Sequence, residues 1–236
     1  KMSLNNLLTI VIPCKNEREV ISKTLDLLNY QTNIRGVKVI VCDSSDDDYT
    51  KLLLFNKPEY NFELKITDGG LPAIARNNGF KLVSTPYVLF MDADIFLLDS
   101  EVLSKTVLKI QNEDLDLVSV RFRTTNGDYN YVYKVFNVLQ KLSMFISPFC
   151  LGGFMLTKTS KFIEIGGFDE EVKIAEDYVY SKQIKRNKFK IQDGLIYTLP
   201  RRFHNKGLWY MTKLMIGSVL NTNNKEYFKD SKSYWS

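Results

Sequence analysis

Histidine occurs once in the 236 residues, as His204, and cysteine three times, as Cys14, Cys42 and Cys150. No two cysteines share a C-x-x-C spacing, which argues against a zinc site and against a disulfide framework. All three thiols follow apolar runs and are expected to be buried and reduced, as in an intracellular protein. A glycine-rich phosphate loop is missing after the first apolar segment, where Pro13-Cys14-Lys15-Asn16-Glu17 stands instead. That argues against a nucleotidyltransferase built around such a loop. No stretch reaches the roughly 20 apolar residues of a membrane span. The best candidate, Leu142–Thr157, is broken by Pro148, Gly152 and Gly153. The polar residues Ser3, Asn5 and Asn6 ahead of the first strand give no signal-peptide pattern. A cytoplasmic location is therefore expected, with contact at the cytoplasmic face of a membrane left open. The net charge of +5 comes from 32 basic and 27 acidic residues, too balanced for a nucleic-acid binder. It suits an anionic substrate or an anionic lipid surface.

The first hundred residues alternate strand and helix signals. Strands are predicted at Leu7–Ile12, Val37–Cys42, Leu64–Thr67 and Tyr87–Met91. Between them, helices are predicted from a capping-box variant at Asn16 and Glu19, around Tyr49–Asn56, and from Pro72 to Val83. This β-α-β-α-β-α-β rhythm implies a parallel sheet with right-handed crossovers. The second half is less regular. Helices are expected at Glu101–Ile110, Tyr129–Phe145, Glu176–Arg186 and Trp209–Leu220, and strands at Leu117–Arg121, Phe154–Thr157 and Gly194–Leu199. The segment 201–204 reads as a loop, and the chain from Asn221 as a polar tail. The aromatic stretch 129–149 is expected in the core, and the helix 209–220 either in the core or in a membrane interface. No linker separates the halves, so a single continuous fold is expected.

Residues 87–97 read Tyr-Val-Leu-Phe-Met-Asp-Ala-Asp-Ile-Phe-Leu. The apolar run has the character of a buried parallel strand, and it ends in two carboxylates, Asp92 and Asp94. Ligands of open α/β sheets gather outside the carboxyl ends of the strands. Carboxylates at i and i+2 there can hold a hard divalent cation through oxygen, and such a cation usually meets substrate phosphates. Asp43 ends the second predicted strand at the same edge. Glu17 either accepts hydrogen bonds from a ribose or base or serves as a helix-terminal acid.

Ordered motifs carry a resemblance over nearly the whole chain: Thr9–Glu17 (TIVIPCKNE), Val39–Asp43 (VIVCD), Ala75–Gly79 (ARNNG), Met91–Asp94 (MDAD), Gly166–Glu170 (GGFDE), Glu176-Asp177 and Arg201–His204 (RRFH). In this order they resemble the family-two glycosyltransferases of the GT-A fold. The resemblance implies an α/β fold, a Rossmann-like, mostly parallel central sheet flanked by helices. Residues 1–98 would form the nucleotide-sugar-binding half, and 99–236 a smaller half with the acceptor site and catalytic base. It implies an inverting, metal-dependent enzyme that moves a sugar from a nucleotide-diphosphate donor, a UDP-sugar, to a glycan, lipid-linked or polysaccharide hydroxyl. Asp94 would bind Mn²⁺ or Mg²⁺, with Asp92 supporting the ribose or a metal-bound water and His204 as a further ligand. Pro13, Glu17 and Asp43 would contact the nucleoside. Arg76 would meet the diphosphate or brace the aspartates. Arg201 and Arg202 would neutralise the leaving group or capture a phosphorylated acceptor. Asp177 would be the base, while Asp169 and Glu170 would shape the acceptor floor. The alternatives are a sugar-nucleotide nucleotidyltransferase and a non-catalytic nucleotide-sugar-binding module.

Overall fold

The computed structural model describes residues 3–46, 48 and 59–229, without the side chains of Arg202, Met215 and Val219. The helix expected over 49–56 falls outside the described residues. Elsewhere the first half follows the expected rhythm: β1 (Leu8–Cys14), α1 (Ile21–Asn29), β2 (Lys38–Asp43), β3 (Glu63–Asp68), α2 (Pro72–Phe80) and β4 (Tyr87–Met91). After a two-residue strand β5 (Ile95–Phe96) come α3 (Val102–Asn112), β6 (Leu117–Thr124), α4 (Asn130–Ser143), β7 (Phe154–Lys158), α5 (Thr159–Ile165) and α6 (Glu176–Ser181). The chain continues through β8 (Phe189–Thr198), α7 (Arg201–Lys206), α8 (Leu208–Leu220) and α9 (Lys225–Lys229).

The described strands form one sheet in the order β3-β2-β1-β4-β7-β6-β8-β5. The β3-β2-β1-β4 portion and the β6–β8 pair are parallel, whereas β7 runs antiparallel to both β4 and β6. From β1 the chain winds outward to β2 and β3, then returns to lay β4 on the other side of β1. The crevice between the carboxyl ends of β1 and β4 is therefore a topological switch point, where ligands of such sheets bind. Side chains alternate across the sheet. Ile10, Ile12, Val39, Val41, Leu89 and Met91 pack with α1 and α3 on one face. Val11, Ile40, Val88 and Phe90 pack with α2, α5 and α6 on the other. Burial on both faces is why these strands read as unbroken apolar runs. Gly79 lets α2 approach the sheet: a Cβ there would stand 2.4 Å from Val11 and 2.6 Å from the Cys42 sulfur.

Several local expectations change. Helix α1 starts at Ile21 rather than at Asn16. Asn16 adopts φ +55°, and its amide is bonded to Asp46 instead of capping a helix. The stretch from Glu176 yields only α6 and, after a break, a 3₁₀ turn at Arg186–Lys188. Residues 201–206 are helical where a loop was expected, and the supposed polar tail contains α9, which buries Phe228 against Val172 and Ile174. The largest correction concerns α4. Only Val132, Phe136 and Gln140 of that helix are buried, and its aromatic and aliphatic residues are divided between core and solvent. Asn137 explains its orientation, since its side-chain amide bonds both the N–H and the carbonyl of Phe122 at 2.9 Å and covers the backbone of β6. Among the described residues no helix is long and apolar enough to cross a membrane.

Candidate active site

The turn after β4 is pinned from three sides. Asp92 N–H donates to Gly153 O at 3.2 Å, Ile95 N–H returns to Asp92 O, and the buried Thr24 hydroxyl of α1 donates to Ala93 O at 2.6 Å. Asp92 and Asp94 are thereby presented at the switch point, each only partly exposed. Among the described residues no group of three or more His, Cys, Asp or Glu side chains could hold a metal ion. The turn after β4 offers a pair of carboxylates, Asp92 and Asp94. Such a pair fits Mg²⁺ or a similar hard cation that takes the rest of its shell from water and substrate phosphates.

Arg76 of α2, 2% exposed, organises the centre. Its Nη2 donates to Asp92 Oδ1 at 2.8 Å and its Nη1 to Glu176 Oε1 at 2.5 Å. Burial opposes its charge, but Asp92, Glu176 and Asp177 outweigh that and push its pKa above the ordinary arginine value. Of the two aspartates of the turn, Arg76 is bonded to Asp92, whereas Asp94 meets Arg201. Glu176 and Asp177 open α6 immediately after Ala175, whose φ of +55° is unusual for a residue with a side chain. Asp177 Oδ2 accepts from Gly152 N–H at 2.7 Å and Oδ1 from its neighbour Tyr178 N–H at 2.8 Å. Burial, and then the charge of Glu176, raise its pKa to about 6, while Arg76 and the two N–H donors pull the other way.

The segment carrying Gly152 is held by side chains. Phe149 N–H donates to Ser143 Oγ (3.0 Å), Cys150 N–H to Ser181 Oγ (3.3 Å), Leu151 N–H to Gln140 Oε1 (3.0 Å) and Gly152 N–H to Asp177. A Cβ on Gly152 would lie 3.0 Å from Asp177 Oδ2 and 3.3 Å from Arg76 Nη2. Glycine is what lets the backbone reach the carboxylate.

On the β1–β2 side, Pro13 pairs with Cys42 beyond the last residue that β1 shares with β4. Asp43 is 6% exposed and accepts from Ser45 N–H and Oγ through Oδ1, while its Oδ2 is buried with no partner. Glu17 Oε2 is likewise buried and unpartnered. Two orphaned acceptors at one sheet edge suit the hydroxyls or N–H groups of a ribose and base. Arg201, at the start of α7, spans the crevice, with Nη2 2.7 Å from Glu17 Oε1 and 3.3 Å from Asp94 Oδ2. Arg202 lies in the same helix, its side chain outside the described atoms. His204 faces elsewhere: its Nε2 is 3.4 Å from Asp128 Oδ2 and its ring stands edge-on to Tyr129. The structure therefore brings Arg76, Asp92, Glu176 and Asp177 together, and joins Glu17, Asp94 and Arg201. It does not show His204 against either aspartate. The cysteines are all free and buried, and burial, with Asp43 and Glu17 adding to it, pushes the Cys14 thiol up to about 12.

The profile of the family described as "Glycosyl transferase family 2" matches residues 9–166, well over half of the chain. The chain belongs to glycosyl transferase family 2. Its sequence is 28% identical over 211 residues to the poly(ribitol-phosphate) beta-glucosyltransferase of Bacillus spizizenii, covering 83% of this chain and 32% of that protein. It is 25% identical over 201 residues to the O-antigen chain rhamnosyltransferase RfbN of Salmonella typhimurium, covering 78% and 62%. The chain therefore spans less than two thirds of either relative. Among solved structures, it matches the mannosyltransferase PcManGT of Pyrobaculum calidifontis in complex with GDP-Man and Mn²⁺, with a TM-score of 0.69, 19% identity and coverage of 94% and 66%. It also matches residues 1–349 of S. aureus TarS in complex with UDP-GlcNAc, with a TM-score of 0.63, 19% identity and coverage of 82% and 58%. At these identities the likeness establishes the fold, the GT-A fold of glycosyltransferases.

Within this family-2 chain, sequence reasoning missed the parts that position Asp177. Glu176 was legible only as the partner of Asp177 in a motif, yet it takes one arm of Arg76. Gln140 and Ser181 gave no motif at all. Their one signal is a polar residue at a position where the helix period calls for an apolar one, since both are fully buried. Asn77, which the sequence marked only as part of the ARNNG motif, bonds Phe168 through both its amide atoms and Glu170 at 3.0 Å, fixing the Gly166–Glu170 turn.

Proposed function

We propose that the chain transfers a sugar from a nucleoside-diphosphate sugar to an acceptor hydroxyl, with inversion at the anomeric carbon. The observation that carries this is Asp177, a carboxylate with a raised pKa of about 6, tied through Gly152 and Arg76 to the Asp92 turn. Ionised at neutral pH, Asp177 accepts the proton of the acceptor hydroxyl as that oxygen attacks the sugar carbon. The bond to the diphosphate breaks as the new bond forms, so a single base facing a single leaving group gives one displacement. Asp94 and Asp92 would hold Mn²⁺ or Mg²⁺, which when bound offsets the charge of the leaving diphosphate. Arg76 keeps the Asp92 carboxylate fixed. Asp43 and Glu17 receive the nucleoside with their orphaned oxygens, and Arg201 exchanges its contacts with Glu17 and Asp94 for the diphosphate. A third metal ligand from His204 would require that ring to leave Asp128.

The donor half is residues 1–98, and the acceptor and base lie in 99–236. A uridine-linked donor is the first choice: the imide of uracil complements Asp43, and TarS is named in complex with UDP-GlcNAc. The acceptor is a glycan, lipid-linked or polysaccharide hydroxyl, a reading supported by two relatives named for poly(ribitol-phosphate) and for an O-antigen chain. The test is a thermal-shift screen of UDP, GDP and their sugars with and without Mn²⁺, followed by product analysis with the responding donor. A UDP-sugar should give the largest metal-dependent shift. A response to guanosine nucleotides instead would change the base, and no response to any nucleotide diphosphate would overturn the proposal. Nucleotide-sugar synthesis from a sugar phosphate would favour the nucleotidyltransferase.

A further inference from the structure

Helix α4 carries a face that neither the core nor the candidate site uses. Tyr131, Val135, Val138 and Leu142 follow at spacings of four, three and four residues and form one stripe. They are 60%, 56%, 56% and 52% exposed, and Phe145 and Ile146 just beyond them are 70% and 81% exposed. A contiguous apolar ridge of this kind marks an interaction surface. Its flank is cationic. Val138 also lines a groove of about 390 Å³ with Lys134 and Lys141 of α4 and with Arg121 and Arg123 of β6. At the far end of the ridge, Arg186 reaches the carbonyl of Phe145 at 3.5 Å. No acidic residue occurs between Asp128 and Glu164. Asp193 stands 3.9 Å from Lys141 in a solvent-exposed pair, which leaves the groove strongly positive.

We propose that this face docks on an anionic lipid bilayer. The ridge enters the interface and the cations of the groove meet headgroup phosphates, the arrangement by which amphipathic helices bind membrane surfaces. A ridge beside a groove of one charge sign selects a partner that is apolar within and anionic at its surface. A second copy of the chain fits poorly, because two-fold pairing of the ridges would set Lys134, Lys141 and the two arginines against their equivalents. The inference is independent of the donor chemistry.

The test is co-sedimentation of the full chain with vesicles of phosphatidylcholine, alone and with phosphatidylglycerol added. Binding is expected only to the mixed vesicles, and it should weaken as salt rises. Lys134→Gln and Lys141→Gln should each weaken it about fivefold, and Val138→Asp combined with Leu142→Asp should abolish it. All four side chains are exposed, so native melting temperatures are expected; if the aspartate pair fails to fold, the lysine variants alone decide the question. Equal binding to both vesicle types, no binding to either, or undiminished binding by the lysine variants overturns the proposal. So does a dimer in sedimentation equilibrium that Val138→Asp dissociates, which would assign the ridge to a second copy.

Discussion

Asp177 shows how one side chain can carry opposite demands. Its pKa is raised from 3.8 to about 6, so the folded protein holds that proton more tightly than the unfolded chain. The resulting stability is present in full below 3.8 and is lost as the pH rises through about 6. At neutral pH the ionised carboxylate is therefore a destabilising group. Asp177→Asn should lower transfer by about 10²- to 10⁴-fold. Its amide nitrogen would face the N–H of Gly152 or Tyr178, both of which the carboxylate now accepts, so the stability gained by removing the charge should be offset by a lost backbone bond. Kinetics and thermal melts of the variant check both, and near-native turnover would contradict the role given to Asp177. In the native enzyme, turnover should rise with pH through about 6. Asp43 gives a different signature, because its orphaned oxygen awaits a donor. Asp43→Asn should weaken nucleotide binding by roughly ten- to a hundredfold, with turnover at saturating donor little changed; calorimetry and kinetics separate the two. The carboxylates proposed for the chemistry could be picked out of the sequence where Asp43 and Asp92 stand at strand ends and Asp177 opens a helix. Their partners were not, since nothing local says that Arg76 and Glu176, 100 residues apart, will touch.

Among the elements, β1, β2 and β4 announced themselves because burial on both faces leaves long apolar runs. Helix ends were harder. Asn16 and Glu19 have the residue types of a capping box, but tertiary bonds to Asp46 take Asn16 away. The face of α4 was harder still: it has apolar residues on more than one side, and periodicity alone cannot say which side the core takes. The answer is set by Gln140 and Asn137, polar residues that bind backbone across the interface. Replacing Gln140 with methionine leaves the Leu151 N–H without its acceptor, and should cost about 1–3 kcal/mol, read from denaturant unfolding. Because the same segment carries Gly152, turnover should fall while the Michaelis constant for the donor stays near native. Gly152→Ala should be more selective. Its Cβ meets the Asp177 carboxylate at 3.0 Å, so either that side chain or the 149–152 segment must yield. A loss of turnover of about tenfold or more, corresponding to little more than about 1 kcal/mol of misplacement, is expected with a melting temperature close to native.

For the molecule as a whole, the two halves share one sheet, joined where β4 pairs with β7. The fold class could be read from the alternation of strands and helices, whereas the strand order and the antiparallel insertion of β7 could not, because a short apolar run carries no direction. Ion pairs also link the halves: Arg76 to Glu176, and Arg201 to Glu17 and Asp94. Asp92 and Asp94 thus have cationic neighbours before any metal arrives. Chelation with EDTA should abolish transfer and donor binding yet leave the melting temperature of the ligand-free protein unchanged, and Mn²⁺ should restore both activities. The pinned segment 149–152 has a consequence for amide exchange. It lies outside any helix or strand, where amides usually exchange quickly, yet four consecutive N–H groups are engaged by side chains from two helices. Those amides should exchange at rates close to the sheet's, and they should speed up together when either helix loosens. In deuterium-labelling profiles this short irregular stretch would then serve as a reporter of whether the Asp177 carboxylate is seated.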